Sequence, residues 1–329
     1  MTRKTDSSQL QTAFVEAYHQ GDEARAREWV PQLGAQPRVI LEAMLENPDA
    51  IVRQAAAFGL GELGGAASVR RLERQLALEE ARGDHDAASV VEAITGALGR
   101  IADTSARAGL LRRLERLPGS KMAPADVNTL ARALWRRRHP ELSSAVQRAL
   151  ERLPMPTAAS LRGLAVLLEK SPEALRAWVE DTAVPIEQKA EVLTVLEEEV
   201  SDTLVPVLPA FISIASAQAP VAVGQRGDAS YYCERLFILL FLHAERVLPA
   251  LPTEARANMR TVARTLVAAK SQRCALRAVT MLQFVGQSED LALLEAHRPD
   301  DAALAAVFDD VARAVRHREN QGALGGSED

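Results

Sequence analysis

Arginine residues at helical spacing are the feature of this sequence that most directly suggests binding chemistry. The pattern Arg-x-x-Glu-Arg occurs three times, within residues 70–74, 112–116 and 148–152. The two outer arginines of each copy are four residues apart and therefore share one face of a helix. Guanidinium groups bind carboxylates and phosphates through paired N–H donors. We predict that six residues form one partner-binding surface, called the arginine ladder below: Arg70, Arg74, Arg112, Arg116, Arg148 and Arg152.

The arginine ladder also has a purely structural interpretation. Arginine and glutamate three or four residues apart on an exposed helix form ion pairs that stabilise the helix by about 0.2–0.5 kcal/mol each. Such pairs would only make the repeat soluble. The sequence alone leaves this alternative open.

Charged residues are unevenly distributed along the chain, although the formal net charge is only −5. Residues 107–152 contain eleven basic and four acidic residues, whereas residues 169–202 contain ten acidic and three basic ones. The acidic total argues against a general affinity for nucleic acids. The segregation favours charged patches that orient a charged partner, and ordinary variation along the chain is the alternative.

Motifs for catalysis, metal binding and membrane insertion are absent from the sequence. There is no phosphate-binding loop, no nucleophile elbow and no His-Glu-x-x-His helix. Six scattered histidines and two isolated cysteines form no zinc pattern. We therefore predict no enzyme activity, no metal and no cofactor. The polar N-terminus and the short apolar stretch at residues 236–242 predict a soluble, cytoplasmic protein without a membrane segment.

Helical periodicity fills nearly the whole chain, and it repeats. Aromatic residues make up only 4%, and the apolar residues are mostly Ala, Leu and Val, which suits closely packed helices. The run Gly-Leu-Gly-Glu-Leu-Gly at residues 59–64 aligns with Ala-Leu-Gly-Arg-Ile-Ala at residues 97–102. The arginine copies recur after 42 and then 36 residues. This period predicts an all-α fold, an α-solenoid of antiparallel helix pairs whose second helices line a concave face.

Residues 49–64 carry a recognisable form of this repeat. They read Asp-Ala-Ile-Val-Arg-Gln-Ala-Ala-Ala, followed after two residues by Leu-Gly-Glu-Leu-Gly. This segment resembles the bacterial HEAT repeat of the phycobilisome-lyase type. The resemblance implies that Asp49 and Arg53 tie neighbouring repeats together. It also implies a structural role for the Leu-Gly pairs that end two helices: Leu60 and Gly61, Leu98 and Gly99.

Two functions remain open for such an array. The first is a non-catalytic scaffold that binds a partner protein, or an acidic segment of one, through its concave face. The alternative is a nucleic-acid-binding protein that resembles the HEAT-like alkylpurine DNA glycosylases, which cradle a duplex on a basic concave face. Other HEAT-like enzymes hydroxylate a modified lysine through His-Glu metal pairs, and no His-Glu dipeptide occurs here.

The sequence pattern also predicts how the chain is divided. The expected segments are N-terminal capping helices at 1–46, a repeat array at 47–218, an irregular loop at 219–228, further HEAT-like helices at 229–320 and a disordered tail at 321–329. The loop is predicted from Pro220, Gly224 and Gly227, and the tail from its glycine-rich, acidic composition. Nothing in the sequence indicates an oligomeric state.

Overall fold

A computed structural model describes residues 7–117 and 124–325, without the side chains of residues 7 and 319–325. The structure is 79% helical, and these described residues form no strand, which confirms the predicted all-α solenoid class. Two short 3-10 turns lie at Val30–Gln32 and Val205–Val207. The α-helices are α1 (Ser7–His19), α2 (Glu23–Trp29), α3 (Pro37–Met44), α4 (Ala50–Leu63), α5 (Gly65–Arg82), α6 (His85–Arg100), α7 (Thr104–Arg116), α8 (Pro124–Arg136), α9 (Leu142–Arg152), α10 (Ala159–Glu169), α11 (Pro172–Glu180), α12 (Ile186–Leu196), α13 (Leu208–Gly224), α14 (Asp228–Leu242), α15 (Ala244–Ala250), α16 (Thr253–Leu266), α17 (Gln272–Val285), α18 (Glu289–Ala296) and α19 (Ala302–Gly325).

The chain divides into two compact units, Met1–Leu164 and Ala165–Asp329. The division falls inside the segment 47–218 that the sequence pattern assigned to a single array. In unit 1, α4, α6 and α8 pack side by side in one layer, while α5, α7 and α9 form a second layer against them. Successive second helices of the repeats therefore lie next to one another, as a solenoid requires.

Aspartate side chains start several helices of unit 1. Asp49, Asp84 and Asp103 each accept a hydrogen bond from a backbone N–H in the first turn of α4, α6 and α7. Such caps satisfy donors that have no partner inside the helix. They explain why each helix begins where its apolar pattern begins.

Glycine allows the helices of the α4–α6–α8 layer to approach closely. A Cβ added to Gly61 would lie 3.0 Å from the Cβ of Ala97 on α6. A Cβ added to Gly99 on α6 would lie 2.9 Å from both the Cα and the Cβ of Ala133 on α8. Ordinary carbon contacts are about 3.5–4.0 Å. The Leu-Gly pairs of the motif therefore place a buried leucine, Leu60 or Leu98, beside a glycine at which two backbones meet.

Unit 2 repeats the two-layer arrangement. α12, α14, α17 and α19 pack in sequence in one layer, and α11, α13 and α16 form the other. The two layers pack on each other, because α13 packs on α14 and α16 packs on α17. The core between the layers contains large side chains such as Phe211, Tyr232 and Phe237.

The predicted irregular loop at 219–228 needs correction. α13 continues through Pro220 to Gly224, and only residues 225–227 connect it to α14. A proline inside a helix removes one backbone donor and ordinarily breaks the helix. Here Ala215, Ala219 and Ala222 are buried, so tertiary packing holds the helix across the proline.

The C-terminal segment also differs from its predicted division. α19 extends to Gly325, five residues beyond the predicted end of the helices at residue 320. The predicted disorder of the tail falls partly on residues 326–329, which lie outside the described residues.

One apolar helical stretch is longer than the run at residues 236–242 from which the absence of a membrane segment was predicted. Residues Val205–Gly224 form the single stretch in the described residues that is long and apolar enough to do so by length and composition. Pro, Ser and Gln interrupt its apolar residues, so the stretch contains no long unbroken apolar run in the sequence. Within unit 2 it packs against α11, α14 and α16.

Candidate partner-binding surface

The arginine ladder lies on three neighbouring helices of unit 1. Its copies occupy α5, α7 and α9, which are adjacent in one layer. The structure leaves all six predicted arginines exposed: Arg70, Arg74, Arg112, Arg116, Arg148 and Arg152. The spacing in the sequence therefore identified helices that are neighbours in the structure. Partner binding by these residues stays a prediction.

Glutamates of the same pattern pair with the ladder from one helix to the next. Glu73 of the first copy accepts a hydrogen bond from Nη2 of Arg112 in the second copy, at 2.5 Å. Glu115 of the second copy accepts one from Nη2 of Arg148 in the third, at 3.4 Å. Each pair joins the fourth residue of one copy to the first residue of the following copy. These contacts connect repeats instead of residues within one helix, unlike the local pairs expected from the sequence.

Arg152 is engaged in a different way. Its Nη1 and Nη2 donate to the carbonyl oxygens of Glu115 and Leu114, at 2.9 and 3.1 Å. These carbonyls belong to the last turn of α7, where backbone acceptors lack helical partners and a cation is favoured by the helix dipole. Arg152 thus caps α7, and three of the six ladder arginines contribute to the array itself.

Arg74 and Arg116 differ from Arg112, Arg148 and Arg152. Both are exposed, and neither makes a hydrogen bond or an ion pair with any described residue. They occupy the fifth position of the first and second copies, on the adjacent helices α5 and α7. Arg70 is also exposed. Hydrogen bonds from Ser105 lower the pKa of Asp103, and the positive charge of Arg70 lowers it further. The positive charge left for a partner is therefore concentrated on α5 and α7.

Arg113, the second residue of the second copy, points inward, which the spacing of the pattern did not indicate. Arg113 is buried, donates from Nε to Glu80 at 3.1 Å, and also bonds the hydroxyl of Thr95. Burial is the main cause that lowers the pKa of Arg113. The third copy has the buried Ala149 at this position, and that substitution was the signal that the position faces the interior.

Arg53 of the Asp49–Arg53 motif forms a buried ion pair in unit 1. Asp49 caps α4, while Arg53 donates from Nε and Nη2 to the two carboxylate oxygens of Glu79 on α5, at 2.8 and 3.3 Å. Nη1 of Arg53 donates to the carbonyls of Asn47 and Pro48. Arg53 is 1% exposed and Glu79 0%. The motif therefore ties α4 to α5 and to the preceding turn, and not one repeat to a neighbouring repeat as the resemblance implied.

The acidic segment 169–202 is only partly a surface. Glu191 and Glu197 are buried in unit 2, and Glu197 forms an ion pair with Arg235 of α14 at 3.2 Å. The buried Lys189 donates to the carbonyl of Asp181 at 2.9 Å. Part of the segregated charge seen in the sequence is therefore neutralised inside the fold.

The residues that could bind a metal or react as nucleophiles are also located. No group of three or more His, Cys, Asp or Glu side chains that could hold a metal ion occurs in the part of the chain that the structure describes. Cys233 and Cys274 are free thiols in the core. Burial raises the pKa of Cys274 to about 12, and it also raises that of Cys233.

Comparison with known proteins identifies no family for the chain. None of the protein-family models matches the chain, and no curated protein matches it. The chain is similar to a solved structure of human deoxyhypusine hydroxylase in complex with glycerol, with a TM-score of 0.40 and 14% identity. The match covers 86% of this chain and 96% of that one. It is consistent with an all-helical, HEAT-like fold and does not confirm the phycobilisome-lyase type of repeat.

The prediction that the chain is not an enzyme is contradicted. The neighbour in this comparison is an enzyme, so a helical array of this kind does not by itself exclude catalysis. The absence of known catalytic motifs is too narrow a ground for excluding an activity, because unrelated sites can perform catalysis on the same fold. A similarity this distant assigns no reaction to the chain.

Proposed function

We propose that unit 1 is a HEAT-like repeat scaffold that binds an acidic segment of a partner protein through the exposed arginines of α5 and α7. The observation that carries the proposal is that Arg74 and Arg116 occupy equivalent positions on adjacent helices and have no partner among the described residues. We retain the HEAT-like repeat of the phycobilisome-lyase type as the proposed origin of the array, on the strength of residues 49–64.

The charge pattern of the surface supports an acidic partner. The outer positions of the three copies place six arginines on neighbouring helices, against three glutamates at the fourth positions, which leaves a positive balance. Glu73 and Glu115 are already occupied by Arg112 and Arg148, so their charges are compensated within the array. Guanidinium groups that face solvent at a regular spacing suit carboxylates spaced along an extended chain.

The test measures binding of a short fluorescently labelled polyglutamate peptide by fluorescence anisotropy. Arg74→Glu/Arg116→Glu should weaken binding at least about tenfold, since two opposed charges replace two attractive ones and 1.4 kcal/mol is a tenfold change. The melting temperature should change little, because these side chains make no hydrogen bond or ion pair with a described residue that the substitution would break. Binding of the wild-type protein should weaken as salt rises.

The control carries the same change of charge elsewhere. Arg25→Glu/Arg273→Glu reverses two exposed arginines outside the arginine ladder and should retain wild-type affinity. If the ladder variant and the control bind equally well, the ladder is only a solvated face and the proposal fails.

Duplex DNA serves as the competitor that tests the nucleic-acid alternative. A steep dependence of DNA affinity on salt, with DNA displacing the peptide at low concentration, would replace the proposed protein partner by a nucleic acid.

A location in the cytoplasm is likewise proposed, and the two free, buried cysteines support a reducing compartment.

A further inference from the structure

Unit 2 contains a second basic surface, which no motif in the sequence indicated. A groove of about 530 Å³ lies along α16, against the C-terminal end of α17 and Arg318 of α19. Arg256, Arg260 and Arg264 recur every fourth residue on α16 and line one wall. Of the described residues that line the groove, four are arginines and none is acidic.

Arg260 and Arg264 are held in fixed positions by the acidic residues Asp290 and Glu289. Asp290, which is 0% exposed, accepts hydrogen bonds from Nε of Arg260 at 2.8 Å and from Nη1 of Arg264. Glu289 accepts a hydrogen bond from Nη2 of Arg260 at 2.7 Å. The backbone N–H of Gln287 donates to Asp290 at 2.8 Å, which fixes the carboxylate in turn. The guanidinium groups are thereby preorganised, and a ligand would not have to order them.

The outer arginines keep donors for a ligand. Arg256 is exposed, and its one hydrogen bond within the described residues is a 3.5 Å contact with the hydroxyl of Thr253. Arg264 is bonded through Nη1 to Asp290, and its side chain is 41% exposed. The remaining N–H groups of these two arginines belong to the wall of the groove.

Apolar side chains also line the groove. Phe284 and Val285 line the groove at the end of α17. Phe284 stacks edge-on against Phe241, with ring centroids 5.9 Å apart, and Phe241 is itself 38% exposed. Apolar side chains and guanidinium groups therefore line the same groove, together with Thr253 and Thr261 of α16.

We infer that this groove binds a small organic phosphate monoester, with the phosphate on the arginines of α16 and an apolar body against Phe284. A phosphate monoester carries a charge of about −1.5 to −2 at neutral pH and accepts several hydrogen bonds from guanidinium forks. The groove volume lies in the range of about 300–1,000 Å³ that is typical of small-molecule sites. The inference is independent of the proposed function, since every residue involved belongs to unit 2.

The experiment is isothermal titration of the full chain with phenyl phosphate, inorganic phosphate and benzoate as probes. Phenyl phosphate should bind saturably and at least about tenfold more tightly than inorganic phosphate, because only the former contacts Phe284. Benzoate should bind more weakly than phenyl phosphate because it offers one negative charge and two acceptor oxygens. Absence of saturable binding of phenyl phosphate, or equal affinity for all three probes, would overturn the inference.

Three variants locate the site. Arg256→Glu should weaken binding of phenyl phosphate at least about tenfold without lowering the melting temperature, because Arg256 has little role in the fold. Arg264→Lys keeps the charge and a contact to Asp290 but loses the fork, and should weaken binding severalfold. Arg273→Glu, an exposed reversal on α17 outside the groove, should leave binding unchanged. Retention of wild-type affinity by Arg256→Glu and Arg264→Lys would show that the probe binds elsewhere.

Discussion

The close approach of α6 and α8 at Gly99 gives a prediction whose sign follows from geometry. In Gly99→Ala the new methyl carbon would lie 2.9 Å from the Cα and Cβ of Ala133, and backbone atoms cannot turn away as a flexible side chain can. Restoring an ordinary separation of about 3.5–4.0 Å requires the two helices to move apart by several tenths of an ångström or more. Overpacking of this kind costs about 1–3 kcal/mol. The better helix propensity of alanine returns about 0.5–1 kcal/mol, so we expect a net loss of about 1–2 kcal/mol.

Gly96 supplies a matched control on the same helix. A Cβ at this position would meet only Nη1 of Arg100, at 3.7 Å, which is an ordinary contact. Gly96→Ala should therefore stabilise unit 1 by about 0.5–1 kcal/mol. The same chemical change, three residues apart, should thus have opposite signs.

The measurement is urea denaturation followed by tryptophan fluorescence. Trp29 and Trp135 lie in unit 1 and Trp178 in unit 2, so a Trp178→Phe background makes fluorescence report on unit 1. The difference between the two alanine variants should be about 2–3 kcal/mol. If Gly99→Ala is as stabilising as Gly96→Ala, α6 and α8 do not meet at this glycine, and the explanation of the Leu-Gly motif is wrong.

Three further perturbations test the core. Arg53→Met should lower the free energy of unfolding by about 3–5 kcal/mol because Glu79 is left as a buried charge, and Arg53→Met/Glu79→Leu should recover much of that loss in the same urea assay. Leu98→Asp, which buries a carboxylate without a partner, should cost several kcal/mol, and an unchanged melting curve would show that the core face is misassigned. Burial raises the pKa values of Cys233 and Cys274, so both thiols should stay protonated at mildly alkaline pH. Alkylation of the native protein should then be about a hundredfold or more slower than in urea, as followed by mass spectrometry, and comparable rates would contradict their burial.

The sequence predicted the fold class because helical period and internal repetition are local properties. The copies at 70–74, 112–116 and 148–152 gave the correct neighbouring helices, and the Leu-Gly pairs marked helix positions that pack closely. Helix ends were less predictable, because the packing of Ala215 and Ala219 carries α13 past Pro220.

The partners of the charged residues could not be predicted from the sequence. Glu79 lies 26 residues from Arg53, and nothing in its local pattern distinguishes it from the exposed Glu80 beside it. The groove of unit 2 was missed for the same reason. Its lining comes from α16, the end of α17 and Arg318 of α19, which only tertiary packing brings together.

The contacts of Glu73 with Arg112 and of Glu115 with Arg148 have a consequence for how such a chain can change in length. Every copy carries both residue types of this ion pair. Each copy therefore supplies the glutamate with which the first arginine of the following copy pairs. Loss of the middle copy by recombination would leave Glu73 facing Arg148, with the same two functional groups in the same order. Gain of a copy would add one glutamate and one arginine, again in matching positions. This ion pair is therefore formed again whenever the array is lengthened or shortened by whole repeats.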